Sequence, residues 1–212
     1  MERGRFITFE GGEGTGKSTQ ARRLAQALRD RGINVVETRE PGGSPAAELI
    51  RKIILSGAAE PFGPVAETML FFSARDDHLT TVIRPALERG DWVICDRFID
   101  STRVYQGDVF GVDRELIRQV ERLTVEPDMP DLTIILDLEP ATGLTRAAER
   151  GALSRYDKAR LETHEALRSG FLAIAAREPQ RCIVIDAARG ADAVAEDVWQ
   201  AVSARLLQAR AE

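Results

Sequence analysis

Gly11-Gly12-Glu13-Gly14-Thr15-Gly16-Lys17-Ser18, followed by Thr19, is a complete phosphate-binding loop of the pattern G-x4-G-K-S. It stands between the apolar run Phe6-Ile7-Thr8-Phe9 and a helical pattern, which is the strand–loop–helix context of nucleotide-binding loops. The glycines allow turns closed to other residues, so that successive backbone N–H groups and the next helix N-terminus point at one anion. We therefore predict that residues 11–19 bind a nucleoside triphosphate, with Lys17 at the β- and γ-phosphates and Ser18 on Mg²⁺. A glycine-rich turn without a ligand is the alternative.

The composition is that of an ordinary globular protein. The 212 residues are 43% hydrophobic and 30% charged, and they contain no repeat, low-complexity tract or Pro/Gly/Ser-rich linker. We expect one α/β domain over residues 1–212. The formal net charge of −5 creates no overall field that would favour nucleic acids or anionic membranes as partners, although local arginines can still bind a small anion.

Two cysteines, Cys95 and Cys182, each lie within a short β-branched run, which favours buried thiols over a disulfide or a metal site. The phosphate loop begins at residue 11, which leaves no room for a signal peptide, and no apolar run reaches membrane-spanning length. We therefore expect a cytoplasmic protein.

Five short apolar runs predict β-strands, and longer helical patterns separate them. The predicted strands are 5–10, 34–38, 92–96, 132–138 and 181–186. The first helix follows from Ala21, Leu24, Ala25 and Leu28 at i, i+3, i+4, i+7 spacing, with Gly32 as its stop. The other predicted helices are 46–55, 65–88, 113–123, 141–150, 158–177 and 191–209. This alternation predicts a three-layer α/β/α fold with a five-stranded parallel sheet.

Charged residues follow the predicted strands at their carboxyl ends, where ligands bind in open parallel sheets. They are Glu10, Arg39-Glu40, Asp96-Arg97, Asp137 and Asp186. Asp96 ends an apolar strand, as does the acid beside Mg²⁺ in phosphate-loop proteins, so we predict it as a second metal ligand with Ser18. Arg97 distinguishes Asp96 from Asp137, because a guanidinium can bind phosphate through two hydrogen bonds. A structural Asp96–Arg97 ion pair is the alternative.

The middle of the chain supplies residues for a second pocket, which a kinase needs for its acceptor. Phe71 and Arg75 share one face of the predicted 65–88 helix. A cluster at i, i+1, i+4, i+5 spacing follows Arg97 and consists of Ser101, Thr102, Tyr105 and Gln106. An aromatic ring, hydroxyls, an amide and an arginine suit a nucleobase and its sugar. Each also has an ordinary interpretation: Phe71 as core, Arg75 as a solvated charge and Tyr105 as an amphipathic-helix residue.

Arg146, Arg150 and Arg155 surround Gly151 after the fourth predicted strand. A flexible segment that bears arginines at this point can close over a transferring phosphoryl group, where charge neutralisation is the main requirement. The i, i+4 spacing of Arg146 and Arg150, with Glu149 adjacent, equally fits a solvated helix face.

Four segments of the chain form a specific combination: Phe-Glu-Gly-Gly-Glu-Gly-Thr-Gly-Lys-Ser-Thr (9–19), Thr-Arg-Glu-Pro-Gly-Gly (38–43), Asp-Arg-Phe (96–98) and Ser-Thr-Arg-Val-Tyr-Gln-Gly (101–107). Together they resemble the bacterial thymidylate kinases, and the resemblance covers nearly the whole chain. It implies a homodimeric phosphate-loop kinase that transfers the γ-phosphoryl group of ATP to dTMP with Mg²⁺, giving dTDP and ADP. It also implies a small arginine-bearing lid at about 146–157.

The resemblance also implies roles for individual residues. Lys17 and Ser18 serve ATP and Mg²⁺, and Asp96 lies near the metal. Glu13 approaches the acceptor sugar, while Arg39 and Arg97 face the acceptor phosphate. The remaining acceptor-site residues are Phe71 stacked on thymine, Arg75 and Thr102 at the base edge, Tyr105 beneath the deoxyribose, and Ser101 and Gln106 beside them. Because position 13 is an acid, the lid is expected to supply catalytic arginines, namely Arg146, Arg150 and Arg155, which act with Lys17 and Arg97.

Arg75 is a donor only, so it suits O4 of thymine or uracil and opposes the amino group of cytosine. We therefore expect CMP to be rejected. dUMP lacks only a methyl group, so we expect measurable but poor turnover of dUMP.

Two positions depart from the pattern of the relatives: the lid reads Ser154-Arg155-Tyr156-Asp157, and Arg103 stands where a small or apolar residue is common.

Other functions also fit parts of the sequence. A deoxynucleoside kinase would phosphorylate a neutral hydroxyl and has less use for Arg39 and Arg97 together. A guanine-specific switch needs an Asn-Lys-x-Asp motif, whereas the single asparagine here, Asn34, precedes Val35. A non-catalytic ATP-binding regulator would hold or hydrolyse ATP without regard to dTMP.

Overall fold

One sheet of five parallel strands forms the centre of the fold. The structure, a computed structural model, describes residues 2–149, 151, 156 and 159–207. The strands are β1 (Phe6–Glu10), β2 (Val35–Arg39), β3 (Trp92–Asp96), β4 (Leu132–Asp137) and β5 (Cys182–Asp186). Their order is β2-β3-β1-β4-β5, and every neighbouring pair is parallel. The predicted strands are confirmed to within one residue at each end, because strands buried on both faces are near-continuous apolar runs.

Helices cover both faces of the sheet and confirm the three-layer α/β/α prediction. They are α1 (Lys17–Arg29), α2 (Pro45–Ser56), α3 (Gly63–His78), α4 (Arg84–Glu88), α5 (Ile99–Thr102), α6 (Arg114–Thr124), α7 (Pro140–Glu149), α8 (Leu161–Arg177) and α9 (Ala191–Val202). On one face, Leu28 of α1 and Val198 of α9 pack in one core with Phe9 of β1. On the other face, Phe6 packs in a second core with Phe72 of α3. Within the described residues, no helix combines the length and apolar character needed to cross a lipid bilayer.

The predicted 65–88 helix is wrong in one respect, because it is interrupted by a wide turn. α3 ends at His78, a π-helical turn covers Leu79–Ile83, and α4 begins at Arg84. Pro85 gives the physical reason: proline has no N–H for the helical ladder, and its ring displaces the carbonyl group four residues earlier.

A helical segment after β3 is missing from the predicted elements. α5 and the π-helical turn Arg103–Val109 form it, and they carry the predicted cluster at 101–106. The regular α-helical part is only one turn long, so no apolar stripe marks it, and the i, i+4 spacing of Ser101 and Tyr105 is its only sequence signal.

The connection between the strands determines where ligands can bind. The chain passes from β1 outward to β2, returns to β3 and then continues with β4 on the other side of β1. The strand order therefore reverses at β1, and the ligand crevice of such sheets lies at the carboxyl ends of the strands beside this point. The phosphate loop starts there, directly after Glu10.

Candidate active site

The phosphate loop, residues 11–16, joins β1 to α1. Gly11, Gly14 and Gly16 have φ angles of 132°, 69° and 91°, which other residues rarely adopt. Position 14 also has no room for a side chain, because a Cβ on Gly14 would lie 1.9 Å from the carbonyl oxygen of Gly143 on α7. The loop is therefore packed directly against α7, and the unpaired N–H groups at the start of α1 remain available to an anion.

Lys17, the first residue of α1, folds its ammonium group back over the loop. Nζ donates to the carbonyl oxygens of Gly11 (3.1 Å) and Gly12 (2.5 Å) and to Thr15 Oγ1 (3.3 Å). Burial, and after it the charge of Arg97, lowers the pKa of Lys17 to about 8. The ammonium group thus lies inside the loop in an environment that disfavours its charge, and a bound phosphate would reverse that effect.

Ser18 and Asp96 meet beside the loop, where Ser18 Oγ donates a short hydrogen bond to Asp96 Oδ2. The pair fits Mg²⁺, because this ion commonly takes one or two protein ligands and completes its octahedron with phosphate and water oxygens. In the part of the chain that the structure describes, no group of three or more His, Cys, Asp or Glu side chains is placed to hold a metal. Ser18 and Asp96 are the residues that would hold Mg²⁺ here, with phosphate and water oxygens as its other ligands.

Arg97 occupies a strained corner after β3. Among the residues described, it is the one non-glycine residue with a positive φ, 70°, and such strain persists only where surrounding contacts impose it. Nη1 donates to the carbonyl oxygen of Gly11 (3.1 Å) and to Ser101 Oγ (3.2 Å), and Nη2 donates to Glu13 Oε1 (2.7 Å). The corner therefore brings the guanidinium group to the phosphate loop.

Glu10, at the end of β1, holds the other side of this corner. Its carboxylate accepts hydrogen bonds from the Phe98 N–H (2.8 Å), the Ser101 N–H (3.1 Å) and the Ser101 hydroxyl (2.6 Å). Burial raises the pKa of Glu10 to about 7. These three bonds attach the start of α5 to β1 and so fix the backbone that directly follows Arg97.

Glu13 links the phosphate loop to α5 and its continuation. Its Oε1 accepts from Arg97 and from the Tyr105 hydroxyl at 3.0 Å. Burial opposes ionisation, but the charges of Arg97 and then Lys17 lower the pKa of Glu13 to about 2. Glu13 is therefore an anion at neutral pH and orients both partners.

A cleft of about 420 Å³, called the acceptor cleft below, borders the loop at Glu13. Eight predicted site residues line it: Glu13, Phe71, Arg75, Arg97, Ser101, Thr102, Tyr105 and Gln106. Its other walls are Glu40, Pro41, Arg51, Leu55, Phe98 and Tyr156. Aromatic rings and charged or polar groups therefore face the same cleft, a combination that can bind a small polar molecule with a flat ring.

Arg75 lines this cleft and carries one buried donor without an acceptor. The side chain is 2% exposed, and Nε donates to Glu40 Oε2 (2.7 Å) while Nη2 donates to Thr102 Oγ1 (3.0 Å). Among the residues described, no acceptor is placed for Arg75 Nη1 or for Gln106 Nε2, although both atoms are buried. Buried donors without acceptors are costly, so a ligand that brings carbonyl oxygens would relieve the arrangement.

A second cleft, of about 390 Å³, borders the loop at Gly14–Gly16 and is called the donor cleft below. The residues that line it are Gly14, Thr15, Gly16, Thr19, Gln20, Arg146, Ala187, Arg189, Gly190, Ala191 and Val194. The two clefts share the phosphate loop as a wall. Two ligands bound in them would therefore meet at the loop.

Several known proteins resemble this chain in sequence, in fold or in both. The thymidylate kinase family model matches residues 9–198. The chain is 54% identical to the thymidylate kinase of Nitrobacter winogradskyi, over 99% of this chain and 93% of that protein, and 54% identical to that of Bradyrhizobium diazoefficiens, over 97% and 91%. The chain belongs to the thymidylate kinase family. The crystal structure of thymidylate kinase from Ehrlichia chaffeensis has a TM-score of 0.77 to this chain at 35% identity, covering 94% of this chain and 99% of that one.

Family membership and the shared fold confirm the resemblance and the phosphate-loop kinase fold predicted from the sequence. Within this thymidylate kinase fold, one predicted arginine lies elsewhere. Arg39 is 55% exposed, donates to Glu48 Oε1 at 2.9 Å and does not line the acceptor cleft. Arg51 of α2 lines it instead, and burial, followed by the charge of Arg39, lowers the Arg51 pKa. Sequence reasoning missed Arg51 because a cation on an amphipathic helix ordinarily indicates a solvated face.

Of the three predicted lid arginines, the structure of this thymidylate kinase family member describes Arg146. Arg146 lies on the donor side, where Nη1 donates to the Ala187 carbonyl oxygen (3.0 Å) and Nη2 to that of Ala188 (3.4 Å). Arg150 and Arg155 lie outside the described residues, so their catalytic role stays a prediction.

Arg103, the unusual residue of the 101–107 motif, is a structural cation in this thymidylate kinase fold. It pairs with Asp100 (3.0 Å), with Glu178 (2.9 Å) and, through a short contact, with Glu121. Three carboxylates therefore occupy its donors, and it does not line the acceptor cleft.

Proposed function

We propose that this member of the thymidylate kinase family transfers the γ-phosphoryl group of ATP to dTMP, giving dTDP and ADP, with ATP in the donor cleft and dTMP in the acceptor cleft. Family membership establishes the reaction. The assignment of the clefts rests on their common wall, because phosphoryl transfer needs the two nucleotides to meet at one phosphate-binding loop.

The observation that carries the acceptor assignment is the unpaired Nη1 of Arg75. Thymine presents O4 as an acceptor, which Nη1 would satisfy, whereas cytosine presents an amino donor at that position. The half-buried ring of Phe71 provides a stacking surface in the same cleft. Arg97 and Arg51 supply positive charge in that cleft for the acceptor phosphate.

Catalysis would rely on charge neutralisation, because the attacking phosphate oxygen is already anionic and no proton relay is required. Lys17 and the N–H groups of the loop would bind the donor phosphates, and Arg97 would orient the acceptor. Mg²⁺, held through Ser18 and Asp96, would neutralise phosphate charge when bound. Arg150 and Arg155 would add charge from the lid, while Arg146 would line the donor nucleotide.

The resemblance also supports a homodimer, which we place on the face formed by α2, α3 and α6. Large apolar side chains are exposed on each of these helices, Leu49 and Ile53 on α2, Val65 on α3 and Leu123 on α6, and Phe62 is exposed directly before α3. Exposed apolar clusters of this kind mark interaction surfaces.

We further propose that residues 1–212 form one kinase domain with a lid at about 146–157. Use of ATP and two buried free thiols fit a cytoplasmic enzyme.

A coupled assay of ADP release tests the proposal with dTMP, dUMP, dCMP and thymidine as acceptors. dTMP should give the highest kcat/KM, and dUMP should be roughly fourfold lower, since one methyl group is worth about 0.8 kcal/mol. dCMP should be about 10- to 150-fold lower, which corresponds to one charge-assisted hydrogen bond of about 1.5–3 kcal/mol. Lys17→Ala, as a control, should abolish turnover with every acceptor.

Two outcomes would contradict the proposal. Faster turnover of thymidine than of dTMP would identify a deoxynucleoside kinase. ATP consumption that is independent of every monophosphate would indicate a hydrolase or a non-catalytic regulator.

A further inference from the structure

A buried chain of hydrogen bonds runs from β2 to the base-reading arginine. Thr38 Oγ1 and His78 Nε2 lie 2.6 Å apart, His78 Nδ1 and Glu40 Oε1 lie 3.1 Å apart, and Arg75 Nε donates to Glu40 Oε2 at 2.7 Å. His78, Glu40 and Arg75 are all buried. Of the three, His78 alone does not line the acceptor cleft, so its effect on a ligand passes through Glu40 and Arg75.

The geometry of the chain explains how Arg75 is aimed. A guanidinium group is planar and its donors keep fixed directions, so holding Nε and Nη2 determines where Nη1 points. Glu40 holds Nε through one carboxylate oxygen. Its other oxygen accepts from His78 Nδ1, and because a carboxylate is an acceptor only, Nδ1 must be the protonated nitrogen.

Packing fixes the ring of His78 in that orientation. A Cβ on Gly43 would lie 2.4 Å from His78 Nε2 and 2.5 Å from Thr38 Oγ1, so the 40–43 turn rests directly on the ring. Next to it, Ser44 Oγ donates to Asp77 Oδ2 at 2.5 Å. The turn that carries Glu40 is therefore attached to α3 at two adjacent points.

We propose that His78 is a positioning residue for base selection: by holding the Glu40 carboxylate, it orients Arg75 toward the O4 acceptor of the pyrimidine. This inference rests on the proposed function, since it assigns selectivity to the acceptor cleft. Without the Nδ1 bond, Glu40 Oε1 loses its partner, the carboxylate can rotate, and Arg75 Nη1 no longer faces one direction.

Three variants separate this role from simple packing. H78N places an amide N–H near the position of Nδ1 and keeps the bond to Glu40, whereas H78Q places it near Nε2 and keeps only the bond to Thr38. T38V removes the bond to Nε2 and leaves the Glu40 bond intact. The measurement is the ratio of kcat/KM for dTMP to that for dCMP, together with KM for ATP and the melting temperature of each variant.

We expect H78Q to lower the dTMP-to-dCMP ratio about tenfold, the size of one hydrogen bond, while H78N and T38V keep it within about threefold of the wild type. KM for ATP should stay unchanged in all three. If H78Q does not fold, H78L replaces it, because leucine donates no hydrogen bond to Glu40 and leaves the contact between Glu40 and Arg75 in place; the same tenfold loss is expected.

The results distinguish this inference from the proposed function. A wild-type enzyme without preference for dTMP over dCMP would overturn the proposed function itself. Two results with a selective wild type would overturn only the role of His78. One is a dTMP-to-dCMP ratio that is unchanged in H78Q or H78L. The other is a ratio that falls equally in H78N and T38V, in proportion to the loss of melting temperature.

Discussion

ATP binding should take up a proton at Lys17. In the free protein, burial and Arg97 lower the Lys17 pKa from 10.5 to about 8, so the ammonium group is roughly 90% charged at pH 7 and roughly 10% charged at pH 9. Phosphates bound in the loop would return the pKa to its ordinary value or above it, since an adjacent anion favours the charged form. Only the charged form then binds well, and ATP affinity should fall about tenfold, or about 1.4 kcal/mol, between pH 7 and pH 9.

Isothermal titration calorimetry with a non-hydrolysable ATP analogue measures this effect. The titrations are run at pH 7 and pH 9, and at pH 8 in two buffers that differ in ionisation enthalpy, which reports proton uptake directly. K17R is the matched control, because arginine stays charged at both pH values and the nucleotide's own titration affects both proteins equally. Equal pH slopes for wild type and K17R, with no dependence of the binding enthalpy on the buffer, would refute the reasoning.

Three further predictions follow from buried charges and thiols. D100A should lower the free energy of unfolding by about 1.5–3 kcal/mol in urea denaturation, because buried Asp100 pairs with two arginines that keep Glu121 and Glu178 as partners, and a loss below about 0.5 kcal/mol would contradict this. Burial raises the pKa of the Cys95 and Cys182 thiols, so neither should react with a thiol reagent at pH 8 until the protein is unfolded; rapid native labelling would show that the sites are open. R51A should raise KM for dTMP about 10- to 150-fold at constant KM for ATP and exceed the effect of R39A, whereas the reverse order in steady-state kinetics would restore Arg39 as the main phosphate ligand.

The sequence was sufficient to predict the sheet, because burial on both faces requires apolar runs that are visible without any tertiary information. Trp92–Asp96 is an example, since its bounds match the prediction at both ends. The turn before Pro85 and the short helix Ile99–Thr102 were less predictable. The turn had a sequence signal in Pro85 itself, which the prediction from apolar periodicity did not use. The short helix had no apolar stripe, because it is only one turn long.

Some residues of the candidate site could likewise be predicted from the sequence, and others could not. Residues in contiguous motifs, such as Lys17 and Arg97, could be predicted because their chemistry depends on local spacing. The roles of Arg51 and His78 could not, because each follows from contacts between segments distant in sequence, such as the pairing of His78 with Glu40 across 38 positions. Arg39 shows the converse: its place in a motif indicated the cleft, but in the structure its side chain is exposed, pairs with Glu48 on α2 and does not line the cleft.

A crystal structure with dTMP and a non-hydrolysable ATP analogue tests the central claim most directly, namely that two nucleotides meet across the phosphate loop. The account predicts the thymine ring against Phe71 with O4 within hydrogen-bond distance of Arg75 Nη1, and the ATP analogue in the cleft beside Arg146. An empty acceptor cleft at saturating dTMP, or a base bound with O4 turned away from Arg75, would contradict it.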